Sequence, residues 1–171
     1  VVRSKMSKKI PSQDLVSKLD YWINTVLSQP NRAFGSLPAC PYAKQAWMDN
    51  KVTVKECTGW LEAYSEILTL DVDFSEKDVC LLVFKPDITP ELLSNNVAYL
   101  NQFWSKSDYL TILEDHPDER EEVMEFNLNF GEYCLLFVQN RMKLQKARSE
   151  LEKRGYYTHF TEEYKKEVQD R

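Results

Sequence analysis

Val79-Cys80-Leu81-Leu82-Val83-Phe84 is an unbroken apolar run of six residues. That is strand length, and a strand with no polar face is one covered on both sides, as in sheets flanked by helices. Immediately downstream, Thr89-Pro90-Glu91 reads as a helix start, with a capping hydroxyl, a proline at the first helical position and an acid in the first turn. Leu93, Val97, Leu100 and Trp104 stay in helical register as far as about Lys106. A second strand is expected over Tyr109 to Glu114. Upstream, Val52, Val54 and Glu56 alternate with Lys51, Thr53 and Lys55, the pattern of a half-exposed strand. Thr58 is expected to open the helix that carries Trp60, Leu61, Tyr64, Ile67 and Leu68.

The ends of the chain extend this alternation. Ser12 is a plausible cap for a helix over 13–28, with Leu15, Leu19, Trp22 and Val26 on one stripe and Gln29-Pro30-Asn31 as the stop. A short helix is expected over 42–49. Residues 115–132 form an acidic segment with a short helix expected near Arg120 to Phe126, and Tyr133 to Val138 reads as the last strand. A helix over 141–154, with Leu144, Ala147 and Leu151 inward, ends at Gly155. A final helix starts near Thr161. Helices between consecutive strands favour right-handed parallel crossovers. The fold class is therefore α/β or α+β, with one small, mainly parallel three- to four-stranded sheet flanked by five to six helices. The last strand is free to run antiparallel or to return across the sheet.

A length of 171 residues suits one domain, expected over 12–171 behind a flexible basic segment at 1–11. The composition, 43% hydrophobic and 29% charged, is that of a globular protein, and the net charge of −5 argues against nucleic acid as the main partner. No apolar run approaches the ~20 residues of a membrane span. The four cysteines are far apart in sequence and make no Cys-x-x-Cys pair, so a cytoplasmic location with free thiols is expected. Cys80 and Cys134 sit inside apolar runs and read as small buried hydrophobes.

Chemistry is best sought where parallel strands end, because open α/β sheets bind ligands at their carboxyl edge. Cys57, Lys85 and Asp115-His116 fall at those ends. Leu37-Pro38-Ala39-Cys40-Pro41-Tyr42 adds a thiol on a stiff bend just ahead of a helix, where free backbone N–H groups can lower its pKa. The leading expectation is a thiol or ligand site with Cys40 as nucleophile, His116 as base, and Asn129 or Asn127 orienting the imidazole. Tyr42, Trp47, Cys57, Lys85 and Asp115 are the expected ligand-binding residues, with Tyr42 and Trp47 walling a pocket. A metal site made of Cys40, Cys57, His116 and an acid, and a Cys-Pro haem ligand, are chemically permitted alternatives without a ligand motif. The bland reading is a structural Cys40 and a His116 bonded to backbone.

The rival reading comes from charge. Between Glu114 and Glu132 there are eight acids and one Arg or Lys, either a solvated surface or a docking site for a basic protein partner. The basic helix at 141–154 followed by Tyr156-Tyr157 offers stacking groups to a nucleotide, with a solvated helix face as its plainer explanation.

The Tyr21-Trp22 and Cys40-Pro41-Tyr42-Ala43 segments resemble a bacterial family in which a Trp-containing N-terminal helix precedes a Cys-Pro-Phe-Ala motif. His116-Pro117-Asp118, Asn129-Phe130-Gly131 and Gly155-Tyr156-Tyr157 are similar to small proteins of marine bacteria and their phages. The first family brings no activity with it. The resemblance implies only that the Cys-Pro bend and the His-Pro turn are selected features, and it admits a phage-encoded accessory protein that binds a host complex.

Overall fold

The structure is a computed structural model that describes residues 10–105, 109–119, 122–123 and 126–170. Among the described residues, six α-helices accompany a four-stranded mixed sheet. In chain order the helices are α1 (Gln13–Trp22), α2 (Ala43–Met48), α3 (Trp60–Leu68), α4 (Pro90–Ser105), α5 (Arg141–Lys153) and α6 (Glu162–Asp170). The strands are β1 (Pro30–Asn31), β2 (Leu37–Pro38), β3 (Val52–Glu56), β4 (Val79–Phe84), β5 (Leu110–Asp115), β6 (Glu122–Val123), β7 (Phe126–Asn127) and β8 (Cys134–Asn140). No helix among the described residues is long and apolar enough to cross a membrane.

The sheet order is β3-β4-β8-β5. β3 and β4 pair in parallel across the α3 crossover, whereas β8 is antiparallel to both of its neighbours, β4 and β5. The expected mainly parallel sheet is therefore corrected to one parallel pair and two antiparallel ones. The physical reason is the connection between β5 and β8. Among the described residues it has, in place of a crossover helix, a tight turn at 116–119 and the short β6–β7 pairing. Such a connection lets β8 return beside β5 as an antiparallel partner. β3, β4 and β5 nevertheless all run the same way, since β4 and β5 both oppose β8.

Alternation along β4 divides the core. Cys80, Leu82 and Phe84 face Ala63 and Ile67 of α3 and Leu93, Val97 and Leu100 of α4. Leu81 and Val83 face Leu15, Leu19 and Trp22 of α1. β4 is thus covered on both sides, and each buried Leu or Val contributes about 1.5–3 kcal/mol. A third cluster joins Ala33, Phe34 and Leu128 to Phe160 and Tyr164 from the C-terminal region.

Local signals explain most helix limits. The Ser12 hydroxyl accepts the Leu15 N–H at 3.3 Å, and Thr89 caps α4 through Leu92. α1 is shorter than expected, because its last turn loosens into a π-helical turn over Ile23–Leu27. The expected Thr58 start of α3 moves to Gly59-Trp60: Asp87 accepts the Trp60 N–H at 2.9 Å, and Glu62 reaches back to the Thr58 N–H. The expected helix near 120–126 is corrected to a strand pairing of Glu122–Val123 with Phe126–Asn127. Residues 1–9 of the expected N-terminal segment, Lys106, and Arg120 and Glu121 of the acidic segment lie outside the described residues.

At the outer edge of β5, one side chain pairs the backbone of Ile112. Asn101 of α4 donates to the Ile112 carbonyl and accepts the Ile112 N–H, both at 2.8 Å. The amide therefore does what a further strand would do at an edge prone to pairing with other chains. Asn101→Ala would strand both Ile112 backbone groups and is expected to lower unfolding free energy by about 1–3 kcal/mol. Urea unfolding checks this, and an unchanged midpoint would contradict the bonding described.

Candidate functional site

β3, β4 and β5 deliver Cys57, Lys85 and Asp115-His116 to one edge of the sheet, and β8 begins there at Cys134. Much of this edge is filled by the protein itself. The Asp87 carboxylate occupies the α3 N-terminus, so close to Gly59 that any side chain at Gly59 would collide with it. The backbone N–H groups that elsewhere bind anions at such a position are here met by an internal carboxylate.

The centre of the edge is Asp115. It is buried, and its carboxylate accepts the Phe130 N–H at 2.9 Å and a short hydrogen bond from the Asn129 amide. Asn129 also donates to the Glu119 carbonyl at 2.7 Å and lies 3.2 Å from the His116 carbonyl. Asn129 therefore staples the turn after β5 to the segment entering β8. Burial pushes the Asp115 carboxyl above its ordinary value, partly offset by the Phe130 and Asn129 hydrogen bonds.

His116 is 2% exposed, and both ring nitrogens meet backbone. Nδ1 accepts the Asp118 N–H at 3.1 Å, which places the ring proton on Nε2, 2.8 Å from the Ile88 carbonyl. The ring thus ties β5 to the β4–α4 loop, and its hydrogen bonds match the bland sequence reading. The expected orienting role of Asn129 is replaced by contacts to Asp115 and to backbone; Asn127 accepts the Asn129 N–H.

Cys40 lies in a different neighbourhood. Its N–H donates to the Leu27 carbonyl, and the Tyr156 hydroxyl reaches the Pro38 and Ala39 carbonyls at 2.8 Å each, strapping the bend to the C-terminal region. The Tyr42 and Ala43 N–H groups do meet the thiol and pull its pKa down, as the sequence suggested. Burial is the larger effect, and the Cys40 pKa is raised. Among the described residues no hydrogen bond joins Cys40 to His116, so the expected nucleophile–base pair is not assembled in this structure. The Tyr42 hydroxyl is buried with no hydrogen-bond partner among the described residues.

The other expected ligand residues separate as well. Trp47 packs against the α1 side of the sheet and donates to Asp20 at 2.7 Å. Cys57 is buried in the α3–α4 core, its pKa pushed up to about 12 by burial, and Lys85 is exposed at the end of β4. No group of three or more His, Cys, Asp or Glu residues among the described residues could hold a metal ion, which corrects the proposed Cys40–Cys57–His116 set.

What the edge does form is an open groove of about 410 Å³ between α1 and the entry to β8, lined by Ser17, Lys18, Tyr21, Trp22, Val26, Asn129, Phe130 and Glu132. Trp22 meets Phe130 edge-on with centroids 5.5 Å apart, and its indole N–H is already used on the Leu128 carbonyl at 3.1 Å. Phe130 stacks on Tyr133. Lys18 at the rim is held between Asp14 at 3.0 Å and Glu132 at 2.9 Å. Sequence reasoning placed Trp22 in the core, noted Tyr21 and Phe130 only within the resemblance segments, and passed over Lys18. The usable signal was Phe130 and Tyr133 flanking Gly131 at the start of β8. No protein-family model, no curated protein and no solved structure matches this chain.

Two outcomes follow from these environments. Because burial raises all four thiol pKa values, iodoacetamide should label the native protein at neutral pH more slowly than a free thiol of pKa ~8.5. Tyr156→Phe should speed labelling of Cys40 several-fold by releasing its bend, and mass spectrometry of the alkylated peptide reads both; fast native labelling would contradict the burial. For Asp115, a raised folded pKa means that the folded state holds the extra proton between the ordinary ~3.9 and that raised value. Stability relative to Asp115→Asn should therefore fall as pH rises through that window, as measured by urea unfolding at several pH values. A flat difference would contradict the burial effect.

Proposed function

We propose that this protein is a protein-interaction module whose groove at the carboxyl edge seats an apolar side chain from a basic partner segment. The observation that carries this reading is the chemistry of the groove: aromatic walls from Tyr21, Trp22 and Phe130 beneath a rim that carries Glu132 and Lys18. Glu132 and Asp14 stand at that rim with Lys18 between them. The exposed Asp118 and Glu119 lie on the turn that Asn129 staples to the same place. A volume of about 410 Å³ suits one large side chain with its flanking backbone. Acidic groups around an apolar centre select a partner by charge, and aromatic anchors supply most of the affinity. Thiol chemistry at Cys40 has no comparable support, since burial raises its pKa and no hydrogen bond joins it to His116 among the described residues.

The test uses a peptide with one Trp between lysines and a counterpart with the same Trp between glutamates. The lysine peptide should shift the Trp22 indole and Phe130 amide signals in NMR spectra. Its binding should weaken between about 0.1 M and 1 M salt, where the screening length falls from ~10 to ~3 Å. Tyr21→Ala should cost about tenfold in affinity, the scale of an interface anchor. Equal binding of both peptides, or shifts confined to other surfaces, would overturn the reading.

A further inference from the structure

The helical layer opposite α1 carries a second unusual surface. α4 has one charged residue, Glu91, between Pro90 and Ser105, in a chain that is 29% charged. Leu93, Val97 and Leu100 face the sheet. Leu92, Tyr99 and Phe103 recur at i, i+7 and i+11, which returns to one azimuth at 3.6 residues per turn. They are 53%, 67% and 65% exposed. α3, packed on the same sheet face, likewise exposes Leu61 and Leu68 seven residues apart. Depletion of charge combined with enrichment in large aromatic side chains is the composition of an interface core.

We propose that α4 is a self-association helix, and that two copies of this chain meet through it in an antiparallel arrangement about a two-fold axis. In that pairing Leu92 of one copy lies against Phe103 of the other, and Tyr99 against Asn96. Charge points to a second copy as the occupant. With a net charge of −5, two copies repel on approach, and a contact that buries like charges is costly. The outward stripe of α4 adds no charge beyond Glu91 in its first turn, so it can face itself without that cost. Area agrees. The three apolar side chains present on the order of 400 Å² per copy. With the flanking Asn95 and Asn96 the pair reaches roughly 1,000 Å² in total, about what a biological interface has to clear. This face is separate from the groove between α1 and β8 and does not depend on what the groove binds.

Sedimentation equilibrium of the full chain tests the proposal. The mass should rise with concentration from 20.2 kDa toward twice that value, and more readily as salt screens the repulsion between copies. Leu92→Lys and Phe103→Glu should each return the protein to a monomer while the far-UV circular dichroism stays unchanged. Combining them as L92K/F103E sets a lysine against the partner's glutamate at both ends of the contact, and should recover at least tenfold of the lost association. A monomer up to ~1 mM, the weak end of measurable association, would overturn the proposal. So would a dimer indifferent to Leu92→Lys, or a double variant no better than the single ones.

Discussion

The buried Asp115 carboxylate fixes how this chain turns back on itself. A carboxylate in an apolar interior is costly unless its oxygens are hydrogen-bonded, and here Phe130 N–H and the Asn129 amide answer it. Those donors come from the segment entering β8, so satisfying Asp115 brings that segment to the end of β5. Register follows, with Asp115 opposite Leu135 and Leu110 opposite Asn140. β8 is thereby set between β4 and β5, and the ring of Phe130 is turned against Trp22 of α1. The groove is a consequence of the same constraint, since one wall is α1 and the other is the segment that Asp115 holds.

This arrangement also shows how the polar groups at the carboxyl edge are used. In an open α/β sheet the edge is available because helix N-termini and diverging loops leave polar groups unpaired. Here Asp87 fills the α3 N-terminus, His116 spends both nitrogens on backbone, and Asn129 staples the turn. Asp87, His116, Asp115 and Asn129 are thus spent on closing the edge, while Lys85 stays exposed. Beside them lies the open groove with Tyr21, Trp22 and Phe130 among its lining.

How much of this was legible in the sequence depended on how local the signal was. The Val79–Phe84 run, the Ser12 cap and the Thr89-Pro90 start are written in adjacent residues, and each element begins there. The place of β8 was not legible, because an apolar strand reads the same in either direction and at any position in the sheet. The short helix expected near 120–126 pointed the other way, toward a helical crossover and a parallel return. The pairing of Asn101 with Ile112 was hidden for a similar reason, as an amide beside an apolar stripe does not announce which backbone it will meet. Cys40 shows two legible effects whose balance was not. The helix N–H groups were foreseeable from Pro41-Tyr42-Ala43, but the burial that outweighs them comes with packing against Tyr156, more than a hundred residues away. Trp22 was read correctly as core, while its exposed neighbour Tyr21, lining the same groove, had no periodic partner to draw attention to it.

Hydrogen exchange at the Phe130 amide is the most direct test of the central role given to Asp115. If that N–H is locked onto the buried carboxylate, it exchanges only through large openings of the sheet and is protected nearly as well as the β8 core amides. Exchange at the rate of an exposed loop, with the β8 core amides still protected, would show that the turn is not held by Asp115. The account of the edge and its groove would then fall.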